Sequence, residues 1–196
     1  MGFEVTQPLL EGRHVRLEPL SDAHVEGLFG IGQHQEDWAY LPTAAFTSCA
    51  DAEQWIQQAL ELARKEPHYP YVLVEPASGA LMGSTRYLNV RPWDHALEIG
   101  YTWLGHDYQR TPVNTEAKYL LLRHALEELG AYRVELKTDA RNLRSQKAIE
   151  RLGAQREGVL RRHMVVQDGY VRDSVMYSIT DLDWPDVKKG LLGKLG

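Results

Sequence analysis

Between residues 96 and 138 the hydrophobic period of the chain changes twice. Ala96 to Leu104 reads as a strand, Leu122, Ala125, Leu126 and Leu129 recur at helical spacing, and Val134, Leu136 and Thr138 then alternate with Arg133, Glu135 and Lys137. A strand, a helix and a strand in that order favour a crossover that lays both strands in one sheet. The helix is introduced by a polar loop, Tyr108-Gln-Arg-Thr-Pro-Val-Asn114, with Asn114 or Thr115 as its expected cap, Glu116 in its first turn and Gly130 as its stop. Free amides at such a helix start, preceded by Gln109 and Arg110, make a ready site for an anion.

The flanking chain supplies more sheet and more helix. Val15, Leu17 and Pro19 suggest a first strand, and Ser21-Asp22 can cap a helix carrying Val25, Leu28 and Phe29. Residues 31–50 have no clean period but hold Trp38, Tyr40, Leu41 and Phe46, as a loop would that either lines a ligand site or is pinned to the core by aromatic anchors. A helix from about Asp51 to Lys65 is stopped by Pro67 and Pro70. Tyr71–Val74 and Leu81–Leu88 read as paired strands around the turn at 76–79, and Gly100 marks a bulge or a close backbone approach in the strand that follows. Asn142 can cap a short helix that ends at Leu152-Gly153, Asp168-Gly169 can turn a final hairpin of 155–166 and 170–179, and the tail from Trp184 can form a terminal helix. The order β α α β β β α β α β β predicts a mixed α/β (α+β) fold in one domain, with a core at about 13–179 and a C-terminal tail at 180–196.

Composition narrows the function classes. With 196 residues, 43% of them hydrophobic, the chain can bury a core, and its net charge of -5 argues against nucleic acid as a partner. Cys49 is the only cysteine, so an intramolecular disulfide and a CxxC metal or redox site are excluded; an ordinary buried thiol is expected, with a Cys-His nucleophile as the alternative. Neither a membrane-length apolar run nor a signal-like N-terminus is present, so no membrane partner is expected and a cytoplasmic location is. The eight histidines lack the close pairings of a metal helix, so no metal is expected. Walker, GxGxxG and GxSxG patterns are also missing.

The element order, the strand motif Glu98-Ile-Gly-Tyr101, the loop Gln109-Arg-Thr-Pro-Val-Asn114 before a long helix, and the Asn142-x-x-Ser145 start of the next helix resemble the GCN5-related N-acetyltransferase (GNAT) superfamily, and within it the ribosomal-protein N-terminal acetyltransferases. The resemblance covers about Arg13 to Ile179. It implies a mostly antiparallel twisted sheet, splayed in the middle and flanked by helices, and transfer of an acetyl group from acetyl-CoA to an amine acceptor, either a protein N-terminus or a small molecule. It also implies a place for each part of the cosubstrate. Backbone near Trp103 and Leu104 would pair with the pantetheine arm, Gln109, Arg110, Thr111, Val113, Asn114 and Thr115 would surround the pyrophosphate, and Asn142 and Ser145 would meet the arm and its sulfur. Relatives often pair, so a homodimer is a possible assembly. The chain departs from the pattern at Pro112 and Asn114, where the family has glycine or alanine, and at Ile149, where many relatives have a tyrosine acid.

Attack on a thioester needs a neutral amine, a polarised carbonyl and a route for a proton to sulfur. Glu98, on the strand beside the expected gap, is the candidate base, with a salt-bridged strand residue as the plain alternative; Asp139 and Asp173 are lesser candidates. By analogy with the ribosomal branch, Ser145 is the candidate partner of the leaving thiolate. Lys137, Arg141, Arg144 and Lys147 could meet a further phosphate, and Trp38, Tyr40 and Trp93 could line the acceptor pocket. Two other readings are a non-catalytic acyl-CoA sensor or structural protein of this fold, and a different nucleotide-binding module.

Overall fold

The computed structural model describes residues 3–196. Two short strands, β1 (Leu10–Glu11) and β2 (Arg16–Pro19), precede helices α1 (Val25–Ile31), α2 (Gln35–Trp38) and α3 (Cys49–Lys65). Strands β3 (Tyr69–Val74), β4 (Leu81–Arg91) and β5 (Ala96–Leu104) follow, then helix α4 (Pro112–Arg123), strand β6 (Arg133–Asp139) and helix α5 (Leu143–Leu152). A hairpin of β7 (Gln155–Val165) and β8 (Val171–Thr180) and a last helix α6 (Trp184–Leu195) complete the fold. The strands form one sheet in the order β1-β2-β3-β4-β5-β6-β8-β7, antiparallel except for the β5–β6 pair. That parallel pair is the one the strand-helix-strand pattern requires, since α4 returns the chain to the same end of the sheet.

Alternation along the strands builds two cores. Leu73, Tyr87, Leu97, Val134 and Tyr177 face α4 and α6, whereas Val72, Val74 and Trp103 face α1 and α3. Trp38 is fully buried in the second core, with its ring 4.7 Å from Phe46 and 4.6 Å from Trp103, so the aromatic loop is anchored in the core and Trp38 does not line a pocket. Trp93, at the β4–β5 turn, is 98% exposed and lines nothing.

Several local expectations change. Helix α4 begins earlier than its polar loop suggested: Thr111 is the N-cap, its Oγ1 accepting from Val113 N at 3.4 Å, and Pro112 takes the first helical position. Proline at that place costs no hydrogen bond and Thr111 offers a cap oxygen, so neither Asn114 nor Thr115 is needed as the cap. After Arg123 the helix widens into a π turn over His124–Glu128, and Gly130 ends it at φ +74°. Glu116 does not face solvent at the helix end. It is buried and accepts backbone N–H groups from Arg13 (3.0 Å), His14 (2.5 Å) and Val15 (2.8 Å), clasping the N-terminal segment to α4. Cys49 is exposed, since it opens α3 directly after the cap Ser48. Among the described residues no helix is long and apolar enough to cross a membrane.

Candidate active site

The site begins where the sheet divides. Strands β5 and β6 pair at only three rungs, Ala96 with Arg133, Leu97 with Val134 and Glu98 with Glu135. Beyond Glu98 the two strands run on to Leu104 and Asp139 without a ladder between them, which leaves main-chain groups along an open seam. A bulge sharpens the bend of β5. Gly100 lies opposite Arg86 and Trp103 opposite Ser84, so β5 carries one extra residue there, and Tyr101 adopts φ +51°.

Glu98 stands at the last rung before the fork, 2% exposed. Its Oε2 accepts from Asn89 Nδ2 at 2.7 Å and from Lys137 Nζ at 2.8 Å. Asn89 reaches it because β4 has its own irregularity between Leu88 and Arg91, with Asn89 at φ +49°, a conformation Asn tolerates. Oε1 has room because residue 100 is glycine: a Cβ there would stand 3.0 Å from Oε1 and 3.0 Å from Leu88 Cδ2. The strand that alternated so cleanly in the sequence therefore has a face lined with half-buried ion pairs, Lys137 with Glu98 and Glu135 with Arg91 and Arg133.

The helix that follows the seam offers amides at its start. With Thr111 as cap and Pro112 first, the first-turn N–H groups belong to Val113, Asn114 and Thr115. Pro112 and Asn114 therefore lie in ordinary helix, where glycine has no conformational advantage; the proline removes only its own donor. Arg110 is exposed and takes φ +61°. Val113 is buried, leaving only its backbone for a ligand, and Thr115 Oγ1 is engaged by Arg151 Nη2 at 3.2 Å.

Gln109 is a cross-brace. Its Nε2 donates to Asp37 Oδ1 (2.5 Å) and Leu104 O (3.2 Å), while its Oε1 accepts from Arg144 Nη1 (2.8 Å). Asn142 caps α5, its Oδ1 accepting from Ser145 N at 2.9 Å, so Asn142 and Ser145 stand together at the α5 start with Nδ2 and Oγ as their remaining polar groups. The Trp103 side chain is held in the aromatic core, leaving its main chain on the seam. Three of the four basic residues near α5 are already paired: Lys137 with Glu98, Arg141 with Asp139, and Arg144 with Gln109. Asp139 is fully taken up by Arg141; burial alone would raise its carboxyl, but Arg141 outweighs burial and holds it below the usual carboxylate range.

Some polar groups at the site gave no signal in the sequence beyond being charged residues within apolar runs. Lys118 of α4 is buried, with Nζ 2.5 Å from Thr102 Oγ1 and 3.3 Å from Thr85 Oγ1, and burial pushes its ammonium down to about 7. Arg86 and Arg172 are also buried, on the sheet face that bears Glu98. A strap closes over this face: Gln167 Nε2 donates to the carbonyls of Trp38 (2.8 Å), Leu41 (2.7 Å) and Thr43 (2.5 Å), and Arg141 stacks 3.6 Å from the Tyr170 ring and 5.7 Å from that of Tyr40. Among the described residues no cluster of His, Cys, Asp and Glu could hold a metal ion.

In the comparison with known families, the acetyltransferase (GNAT) domain matches residues 14–155. The chain belongs to the GNAT family. A GCN5-related N-acetyltransferase from Brucella melitensis is 30% identical, with a TM-score of 0.92 over 100% of this chain and 88% of that one. A T. thermophilus protein classed as an acetyltransferase is 37% identical, with a TM-score of 0.89 over 98% of this chain and 100% of its own. A ribosomal-protein-S5-alanine acetyltransferase from Vibrio fischeri shares this GNAT fold at 19% identity, with a TM-score of 0.72 over 91% of this chain and 99% of the other. No curated protein matches the sequence. Membership in the GNAT family makes the protein an acetyltransferase, and the splayed, mostly antiparallel sheet flanked by helices is the fold the resemblance implied.

Proposed function

We propose that this protein moves an acetyl group from acetyl-CoA to an amine by direct attack on the thioester. The observation that carries this reading is the buried carboxylate of Glu98 at the last paired rung of the sheet, beside an unpaired seam. The residues suit the cosubstrate. An uncharged pantetheine arm can take strand-like hydrogen bonds from main chain near Trp103 and Leu104. A pyrophosphate suits the first-turn amides of Val113, Asn114 and Thr115, with Gln109, Arg110 and Thr111 at the loop that leads to them. Asn142 Nδ2 and Ser145 Oγ remain for the arm and its sulfur.

The bound thioester supplies an acyl carbon activated for attack. The protein's task is then to supply a neutral amine and a home for the displaced charge. Oε2 of Glu98 is fixed by Asn89 and Lys137, so Oε1 is the oxygen positioned to take a proton from the incoming ammonium, directly or through water. Main-chain N–H groups of the unpaired part of β5 are the donors for the carbonyl oxygen as charge develops on it. The Ser145 hydroxyl, held at the α5 start, hydrogen-bonds the departing sulfur as the C–S bond breaks. A soluble donor and a chain without a membrane-crossing helix among its described residues accord with action in the cytoplasm. The test is CoA release that depends on both acetyl-CoA and an added amine, with the acetylated amine identified by mass; no release with any amine would refute the reading.

A further inference from the structure

Arg86 is the least explained charge in the molecule. It is 3% exposed, its guanidinium carbon 4.7 Å from the Trp55 ring centroid and 4.4 Å from that of Tyr101. Nη1 donates to His68 Nε2 at 3.1 Å, and Nε is buried without a partner. Arginine has no acceptor, so His68 receives this bond as the neutral ring; burial, and secondarily Arg86 itself, push His68 down to about 4. Among the described residues no carboxylate lies within 4.0 Å of Arg86. Aromatic rings offset part of the cost of burying a cation, but a guanidinium with a spare buried donor is built for a planar anion.

Charge accounting on this face of the sheet gives the same direction. Glu98 is matched by Lys137, Asp139 by Arg141, and Arg91 and Arg133 by Glu135 and Glu157. Among the described residues, Arg86 is left without a carboxylate partner. Arg172, 6% exposed, donates to Ser174 Oγ at 2.9 Å and Tyr40 O at 3.5 Å, and the charges of Asp139 and Glu98 partly offset its burial. In a chain of net charge -5, a buried cation with no carboxylate partner among the described residues stands on the same face as the carboxylate at the fork. The first turn of α4 belongs to the layer on the opposite side of the sheet from Trp55, so these arginines are not near the proposed seat of the cosubstrate phosphates.

Their spacing suits one small ligand. Arg86 is opposite Gly100 and Leu88 is opposite Glu98, which makes Arg86 and Glu98 diagonal neighbours on one face, about 7–8 Å apart at the backbone. Glycine at position 100 keeps that face free of a further side chain, since a Cβ there would press on Glu98 Oε1 and Leu88 Cδ2, each at 3.0 Å. We propose that Arg86, backed by Trp55 and Tyr101, binds a carboxylate carried by the acceptor, so that the amine substrates of this protein are small amino acids. This rests on the acetyl-transfer reading for the place of the amine, but the anion seat can be tested without turnover.

Binding would be measured by calorimetry, in the presence of CoA, for three matched pairs: L-leucine and isoamylamine, L-phenylalanine and 2-phenylethylamine, 4-aminobutyrate and butylamine. The inference predicts that in at least one pair the carboxylate-bearing member binds about tenfold or more tightly. Arg86→Gln should bring that ratio close to unity while circular dichroism and CoA affinity stay as in the parent. Where Arg86→Gln does not fold, Arg86→Lys, which keeps the charge and loses the planar fork, should lower the ratio at least about threefold. Equal binding within every pair, no binding of any probe, or a preference untouched by either variant would overturn the inference. A preference that survives alongside a complete lack of CoA release from acetyl-CoA would instead overturn the acetyl-transfer reading and leave the anion seat standing.

Discussion

Nζ of Lys137 lies 2.8 Å from Oε2 of Glu98 and joins two strands at the rung beyond which they part. The pair fixes the carboxylate without occupying Oε1. A group that takes a proton in the transition state typically contributes about 10²–10⁴-fold, so Glu98→Gln should lower kcat by at least about 100-fold. Affinity for acetyl-CoA should change little, because the amide keeps the shape. Steady-state rates beside a binding titration check this, and an unchanged kcat would remove Glu98 from the mechanism.

Gly100→Ala tests the room around that oxygen. The added methyl would stand 3.0 Å from both Oε1 and Leu88 Cδ2, so one of them must give. The expected cost to stability is on the order of 1 kcal/mol, with a disproportionate fall in kcat as Glu98 is displaced. Thermal unfolding and rates measured on one preparation separate the two effects, and wild-type kcat would show that Oε1 needs no such space.

The Glu116 clasp is a stability feature. Its carboxylate serves three backbone N–H groups of residues 13–15, one of them buried, and Glu116→Ala would leave them unpaired. Loss of charge-assisted bonds of this kind predicts destabilisation of about 2–4 kcal/mol, read from urea unfolding. A change below about 0.5 kcal/mol would mean that the N-terminal segment is held by other contacts.

Which parts of this were legible in the sequence depends on whether the signal is periodic or pairwise. The period changes around 96–138 carried the crossover, and with it the parallel pair, because side-chain alternation reports which face of a strand is buried; the fork was expected only from the resemblance to the GNAT superfamily. Asn142 was legible as a cap because its side chain bonds a neighbour three residues on. Thr111 was missed because Pro112 shifts the helix start toward the loop. Glu116 was misread because its partners lie about a hundred residues away, and the same holds for Trp38, whose anchoring rings come from α3 and β5. Arg86, Lys118 and Arg172 had no local signature at all. A buried charge is recognised by what surrounds it, and only the sheet assembles those surroundings.

Lys118 gives a prediction with a definite sign. Burial lowers its ammonium to about 7, so between about pH 7 and pH 10 the unfolded chain holds a proton that the folded chain does not. Stability contributed by this group therefore rises with pH through that window. Lys118→Met should abolish that slope and raise stability at pH 7 by about 1–3 kcal/mol, since Thr85 and Thr102 still bond each other at 2.8 Å. Urea midpoints at several pH values measure both; parallel slopes in parent and variant would refute the assignment.

The most direct measurement of the central claim is calorimetric titration of the purified protein with acetyl-CoA. The seam beside Glu98 and the amides at the start of α4 predict saturable one-to-one binding with a Kd below about 1 mM, retained in Glu98→Gln. No detectable binding at millimolar acetyl-CoA would contradict the account.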